Sequence, residues 1–199
     1  MKKILLTGAT GYIGKRMISV IVAQGYKVVC CCRDINRFSK PTGIDDHLIE
    51  VIEVDFLKLE TLDNIPKDIS GAYYLMHSMS NSSDYEEFEK ECAKNFVEAI
   101  EKTDCEHLIY LSGLVNEKEL SKHLNSRFQV EKILMESKVP ATVLRAGVII
   151  GSGSASFEII RDLVEKLPVM ITPKWLNTKC QPVGIANVLD FLIFTLFQE

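Results

Sequence analysis

The sequence predicts an α/β fold, a doubly wound parallel sheet in a single domain, on three observations. Apolar runs of strand length alternate with amphipathic runs of helix length along the chain, the pattern of right-handed βαβ units. The strand runs are nearly continuous in apolar residues, as in strands covered on both faces. The first run breaks into Gly8, Gly11 and Gly14 and passes directly into a helix, the connection found at the carboxyl edge of such a sheet. The expected strand order is 3-2-1-4-5-6, with a ligand crevice over the first and fourth strands.

The first strand, at about 3–7, ends on Thr7. Gly8 turns the chain where a Cβ would clash. Gly11 leaves room for a phosphate to reach the amides, and Gly14 lets the helix pack closely on the strand. The helix over about 12–24 carries Ile13, Met17, Val20, Ile21 and Val22 on one face and closes at Gly25. Its N-terminus offers unpaired N–H groups and a positive dipole end to an anion. This spacing predicts a dinucleotide site with contacts from Thr7, Gly8, Thr10, Gly11, Tyr12, Ile13 and Gly14, and with Lys15 and Arg16 adding to the positive field.

The second strand, at about 27–32, ends in Cys30, Cys31 and Cys32, followed by Arg33, Asp34 and Arg37. The nucleotide ribose lies at the tip of this strand. An acidic residue placed first there accepts from the 2′-hydroxyl of NAD. An arginine placed first pairs with the 2′-phosphate of NADP in a forked, charge-assisted contact. Arg33 precedes Asp34, so NADP is expected, with NAD possible, and Arg33 and Arg37 as contacts. Adjacent strand cysteines point to alternate faces and cannot all pair. With Cys92, Cys105 and Cys180 they form no zinc spacing. Free buried thiols, no metal and a cytoplasmic location follow.

The third strand, at about 48–54, leads to Asp55 and Phe56, where the aspartate also suits the N-cap of a following turn. The fourth, at about 71–76, runs out through Leu75, Met76, His77, Ser78 and Met79 into the ligand crevice. A helix at about 84–102 places Tyr85, Phe88, Cys92, Phe96, Ala99 and Ile100 inward, with Glu86, Glu87, Glu89 and Lys90 opposite. The fifth strand, at about 107–111, delivers Ser112. A helix follows at about 118–137, then a sixth strand at about 142–146 ending in Ala146 and Gly147. Gly151 to Ser156 is a second small-residue turn before a helix at about 155–166. It suits a helix cap or a second anion site. The irregular stretch from Lys166 to Val183 is expected to form a small C-terminal substrate lobe, and a last helix covers about 184–197.

Thr7-Gly-x-x-Gly-x-x-Gly14 resembles the fingerprint of the short-chain dehydrogenase/reductase superfamily. With Ala9-Thr10 and Tyr12-Ile13 in the gaps it is similar to the extended and atypical branches: nucleotide-sugar epimerases, NmrA-like redox-sensing regulators and small NAD(P)H-dependent reductases. The resemblance implies an NAD(P)-binding Rossmann domain over residues 1–199. It implies that Asp55 and Phe56 flank the adenine, that Leu75 to Ser78 run under the nicotinamide ribose, and that Ala146 and Gly147 meet the nicotinamide. Ser112 takes the place of the superfamily's catalytic serine. The Tyr-x-x-x-Lys pair is missing. Alignment on Ser126 to Glu131 puts His123 and Arg127 there, and a shifted one puts Phe128 and Lys132. Histidine can donate a proton near neutral pH, and Arg127 can hold the ribose. Tyr73 to Met79, Leu120 to Arg127, Gly151 to Phe157 and Leu167 to Trp175 look like one bacterial subgroup of atypical reductases. In its longer members a second domain follows.

A net charge of −4 with no basic run argues against nucleic acid. The N-terminus is not a signal peptide, and Phe191 to Phe197 is too short to span a bilayer. A monomer or dimer acting on an unknown small molecule is expected. The reading is an NADP(H)-binding reductase that passes hydride to a small acceptor. The alternatives are a non-catalytic NADP sensor, favoured by the missing pair, and a nucleotide-sugar epimerase-like enzyme.

Overall fold

The computed structural model describes residues 1–77, 85–114, 122–167 and 179–198, the side chains of 122–124 and 156 excepted. Six parallel strands form one sheet: β1 (Lys3–Leu6), β2 (Lys27–Cys32), β3 (Ile49–Glu53), β4 (Ile69–Tyr74), β5 (His107–Gly113) and β6 (Ala141–Ala146), in the order β3-β2-β1-β4-β5-β6. Five helices accompany them among the described residues: α1 (Tyr12–Ala23), α2 (Tyr85–Ile100), α3 (Lys122–Met135), α4 (Ala155–Lys166) and α5 (Ile185–Phe194). β1 pairs with both β2 and β4, so the winding reverses beside it and a crevice opens beyond the carboxyl ends of β1 and β4.

Ile4, Leu5 and Leu6 are completely buried because both faces of β1 are covered. Leu5, Cys31, Tyr74 and Tyr110 face one core, which includes Phe96 of α2 and Val130 and Leu134 of α3. Ile4, Leu6, Cys30, Cys32 and Tyr73 face the other, with Met17, Ile18 and Ile21 of α1 and Val188 and Leu192 of α5. The three consecutive cysteines thus alternate between two cores, and all six in the chain are free thiols. Burial pushes the Cys30 and Cys31 thiols up, away from reactivity. Cys180 is exposed, contrary to the expectation of six buried thiols.

α2 is rotated from its expected setting. Phe88 is 46% exposed, whereas Glu89 is buried and accepts a hydrogen bond from Ser126 Oγ of α3. A buried partner on the neighbouring helix outweighs the apolar stripe read from α2 alone.

A short parallel pair, β7 (Ile149–Ile150) and β8 (Val183–Gly184), lies outside the main sheet and leads into α5. It holds the segment after β6 against the segment before α5, at the carboxyl end of the sheet. No helix among the described residues is long and apolar enough to cross a membrane.

Candidate functional site

The β1–α1 turn is built by close backbone contacts. Gly8 has φ +67°, and a Cβ on it would lie 2.5 Å from the carbonyl oxygen of Leu75. A Cβ on Gly14 would lie 2.1 Å from the carbonyl oxygen of Gly8, so α1 begins directly against the turn. Gly11 is the N-cap of α1, in extended conformation. No side chain caps the helix, and its first turn holds no acidic residue. Its leading N–H groups are therefore left for an outside acceptor.

Thr7 is completely buried. Its hydroxyl donates to the Tyr73 carbonyl at 3.0 Å and accepts from the Leu75 N–H at 2.9 Å. It joins β1 to the end of β4, and both of its hydroxyl bonds are made within the protein. Thr10 is exposed in the turn. Ile13 packs into the α1 core. The Tyr12 side chain turns away from the turn toward residues 151–153. Arg16 stacks on its ring at 3.9 Å and donates to the carbonyls of Tyr12 and Ser152.

At the tip of β2, Arg33 and Arg37 are exposed, and among the described residues neither makes an ion pair. The Asp34 carboxylate accepts from the Asn36 N–H at 3.0 Å and caps a short 3-10 turn. Asp55 accepts from the Leu57 N–H at 3.1 Å with one carboxylate oxygen, closing the turn that precedes a 3-10 helix whose N-cap is Lys58. Burial pushes the Cys92 thiol up, with the Asp55 charge adding to the rise and Arg33 opposing it, to about 11 in all. Phe56 turns its side chain inward. Its ring is 2% exposed and packs edge-on against Phe96 at 5.5 Å, while Asn95 of α2 donates to its carbonyl at 2.7 Å. The ring adds its apolar surface to the core.

At the end of β4, Leu75 and Met76 pack against opposite cores, and the His77 ring lies 6.1 Å from that of Tyr110. Ser78 lies outside the described residues. Ser112 stands beside the Tyr110 phenol, close enough to oppose the upward push of burial but outside hydrogen-bond geometry. Its Oγ is buried with no partner among the described residues. Arg127 of α3 presents a guanidinium whose Nε is likewise buried without an acceptor. The His123 backbone lies in the first turn of α3; its side chain lies outside the described residues. Lys132 rests on the Phe128 ring at 4.6 Å.

Two adjoining cavities open at the ends of β5 and β6, of about 240 and 450 Å³. Both are lined by Leu114, Ala146, Gly147 and Gln181. Gly147 permits a close approach, but to the chain itself: a Cβ there would lie 2.5 Å from the Gln181 carbonyl oxygen. The turn at Gly151 is closed in two ways. Ser154 is the N-cap of α4, but its hydroxyl donates to the Ile149 carbonyl. Glu158 instead accepts from the Gly153 N–H at 3.0 Å. A Cβ on Gly151 would lie 2.5 Å from Tyr12 Oη.

Sequence reading missed Glu158, Lys179 and Gln181. Only Glu158 left a signal there, as an acid in the first turn of its helix. Lys179 and Gln181 reach the cavities through the β7–β8 pairing, which has no local sequence mark.

A model of the NmrA-like family matches residues 1–167. The photosystem II assembly factor Ycf39 of Trieres chinensis is 26% identical over 97% of this chain and 59% of its own length. The chloroplastic divinyl chlorophyllide a 8-vinyl-reductase of Arabidopsis thaliana is 20% identical over 98% of this chain and 50% of its own. The chain thus spans little more than half the length of these relatives. Among solved structures, a UDP-glucuronic acid 4-epimerase from Bacillus cereus, in complex with a fluorinated UDP-sugar and NAD, superimposes with a TM-score of 0.71 at 20% identity. It covers 98% of this chain and 73% of that one.

Proposed function

The chain belongs to the NmrA-like family, and we propose that it is an NADP(H)-binding reductase that passes hydride to a small acceptor held at the ends of β5 and β6. The single observation that carries this reading is the open start of α1. Its N–H groups have no side-chain cap and no neighbouring acid, and they stand where the sheet reverses its winding.

The residues present fit a dinucleotide. The Gly8–Gly14 turn and the first amides of α1 would hold the pyrophosphate. Arg33 would pair with the 2′-phosphate. Asp34 is the residue that would prefer a bare 2′-hydroxyl, and its carboxylate is already engaged by the Asn36 N–H. Asp55 retains one carboxylate oxygen for the adenine amino group. The Ser112 hydroxyl and the Arg127 guanidinium would orient the acceptor and the ribose beside it. A reduced nicotinamide, when bound, supplies the hydride. A reductase among the relatives agrees with this reading.

Calorimetry with NADPH, NADP, NADH and NAD tests it, and the phosphorylated pair should bind more tightly. Arg33→Ala should weaken NADPH roughly tenfold to a hundredfold, the worth of one charge-assisted contact, with NADH little changed. Equal weakening of both would remove Arg33 from the 2′-phosphate. No binding of any of the four would sink the reading.

A further inference from the structure

We propose that the trench at the ends of β5 and β6 takes an acceptor with an apolar body and one carboxylate, for which Arg127 and Lys179 are the counter-charges. This names a substrate class for the site under Proposed function and rests on that reading.

The two cavities share Ala146, Gly147 and Gln181 and so form one continuous trench. Its two ends differ in chemistry. One end is lined by Leu111, Leu144, Val188 and Phe191, and Phe191 is 58% exposed. An apolar body laid there removes that surface from water. The other end holds Arg127 and Lys179.

Charge pairing separates the arginines of the trench. Arg145 is matched by the buried Glu131, which takes its Nε and Nη2 on separate oxygens. Neither Arg127 nor Lys179 has an ion-pair partner among the described residues, and no described carboxylate lines either cavity. Arg127 Nε is moreover a buried donor without an acceptor, a state that folded proteins rarely leave unfilled. Two unmatched cations and an orphaned N–H at one end of an apolar trench suit a forked acceptor on a hydrophobic frame.

Calorimetric titration of the full chain with naphthoate, naphthamide and acetate tests the proposal. Naphthoate should bind at least about tenfold more tightly than naphthamide, which lacks the charge, or acetate, which lacks the body. Lys179→Gln and Arg127→Gln should each reduce that preference severalfold and leave naphthamide unchanged. Phe191→Ser, at an exposed position, should weaken both aromatic probes alike. Equal binding of naphthoate and naphthamide, or an undiminished preference in Lys179→Gln, overturns the proposal. A parallel NADPH titration of the unmodified chain separates the two readings. NADPH binding without naphthoate preference sinks the carboxylate site alone. Naphthoate preference without NADPH binding sinks the reductase and leaves an anion-binding trench.

Discussion

Two glycine turns open helices in this chain, at Gly8–Gly14 before α1 and at Gly151–Gly153 before α4, and they end in opposite states. Before α1 the N-cap is a glycine, no side chain bonds the leading amides and no acid stands in the first turn. Before α4, Glu158 takes the Gly153 amide, Arg161 pairs with Glu158, and the Tyr12 ring occupies the space over Gly151. Small residues let a backbone come close. Whether that closeness serves a ligand depends on what the chain itself puts there. Neither N-cap side chain bonds the leading amides, but α4 carries a carboxylate in its first turn and α1 carries none, and that charge repels an anion. The second turn is closed partly by a tyrosine that belongs to the first.

The sharpest test of this contrast is Gly14→Ala. The added methyl would meet the Gly8 backbone on two atoms inside 3 Å, with no flexible side chain to give way. A loss of about 3 kcal/mol in urea unfolding is expected, at the upper end for overpacking, together with at least a hundredfold loss of NADPH affinity as the turn is pushed open. Wild-type affinity in this variant would break the assignment of the turn.

Thr7→Val should come next. It removes the hydroxyl between Tyr73 and Leu75 and leaves the Leu75 N–H without its acceptor, at a cost of about 1–3 kcal/mol in stability. Because the hydroxyl is buried and already used, cofactor affinity should fall by less than the stability change implies. Lost affinity at unchanged stability would show that the Thr7 hydroxyl serves the ligand.

Gly153→Ala strains a backbone with φ +79° but meets nothing closer than the Tyr12 ring at 3.7 Å. A destabilisation of about 1–2 kcal/mol, the ordinary cost of a Cβ in the left-handed region, should leave NADPH binding unaltered. If binding falls in step, the second turn is not separate from the first.

Glu158→Ala should be the mildest, about 0.5–1 kcal/mol for a surface carboxylate at a helix start. It also asks whether opening the α4 terminus is enough to make an anion site. Amide shifts followed during a phosphate titration should stay flat at Gly153 while Tyr12 is in place. A saturable shift there would show that Glu158 alone distinguishes the two turns.

Much of the fold was legible because burial on both faces writes itself into continuous apolar strands, and Ile4-Leu5-Leu6 carries that signature without long-range help. The alternation of Cys30, Cys31 and Cys32 between two cores follows from strand geometry alone. Side-chain destinations were less legible. Phe56 and Glu89 read as ligand-facing and solvent-facing, yet both turn inward, because Phe96 and Ser126 meet them across helix packing that no local period encodes. At Gly147 only the fold supplies the Gln181 carbonyl as a close neighbour, since a missing Cβ records that something is near and not what it is.

By itself, then, the sequence determined the parallel sheet, its strand order and the glycine turn at the crevice, all of which rest on local period and on residues whose conformational limits are intrinsic. Tertiary structure alone decided which arginine of the trench is neutralised and that Lys179 and Arg127 line one cavity. These are pairings between residues distant in the chain. Their energies depend on burial and on the nearest opposite charge, and those quantities exist only once the chain has closed on itself.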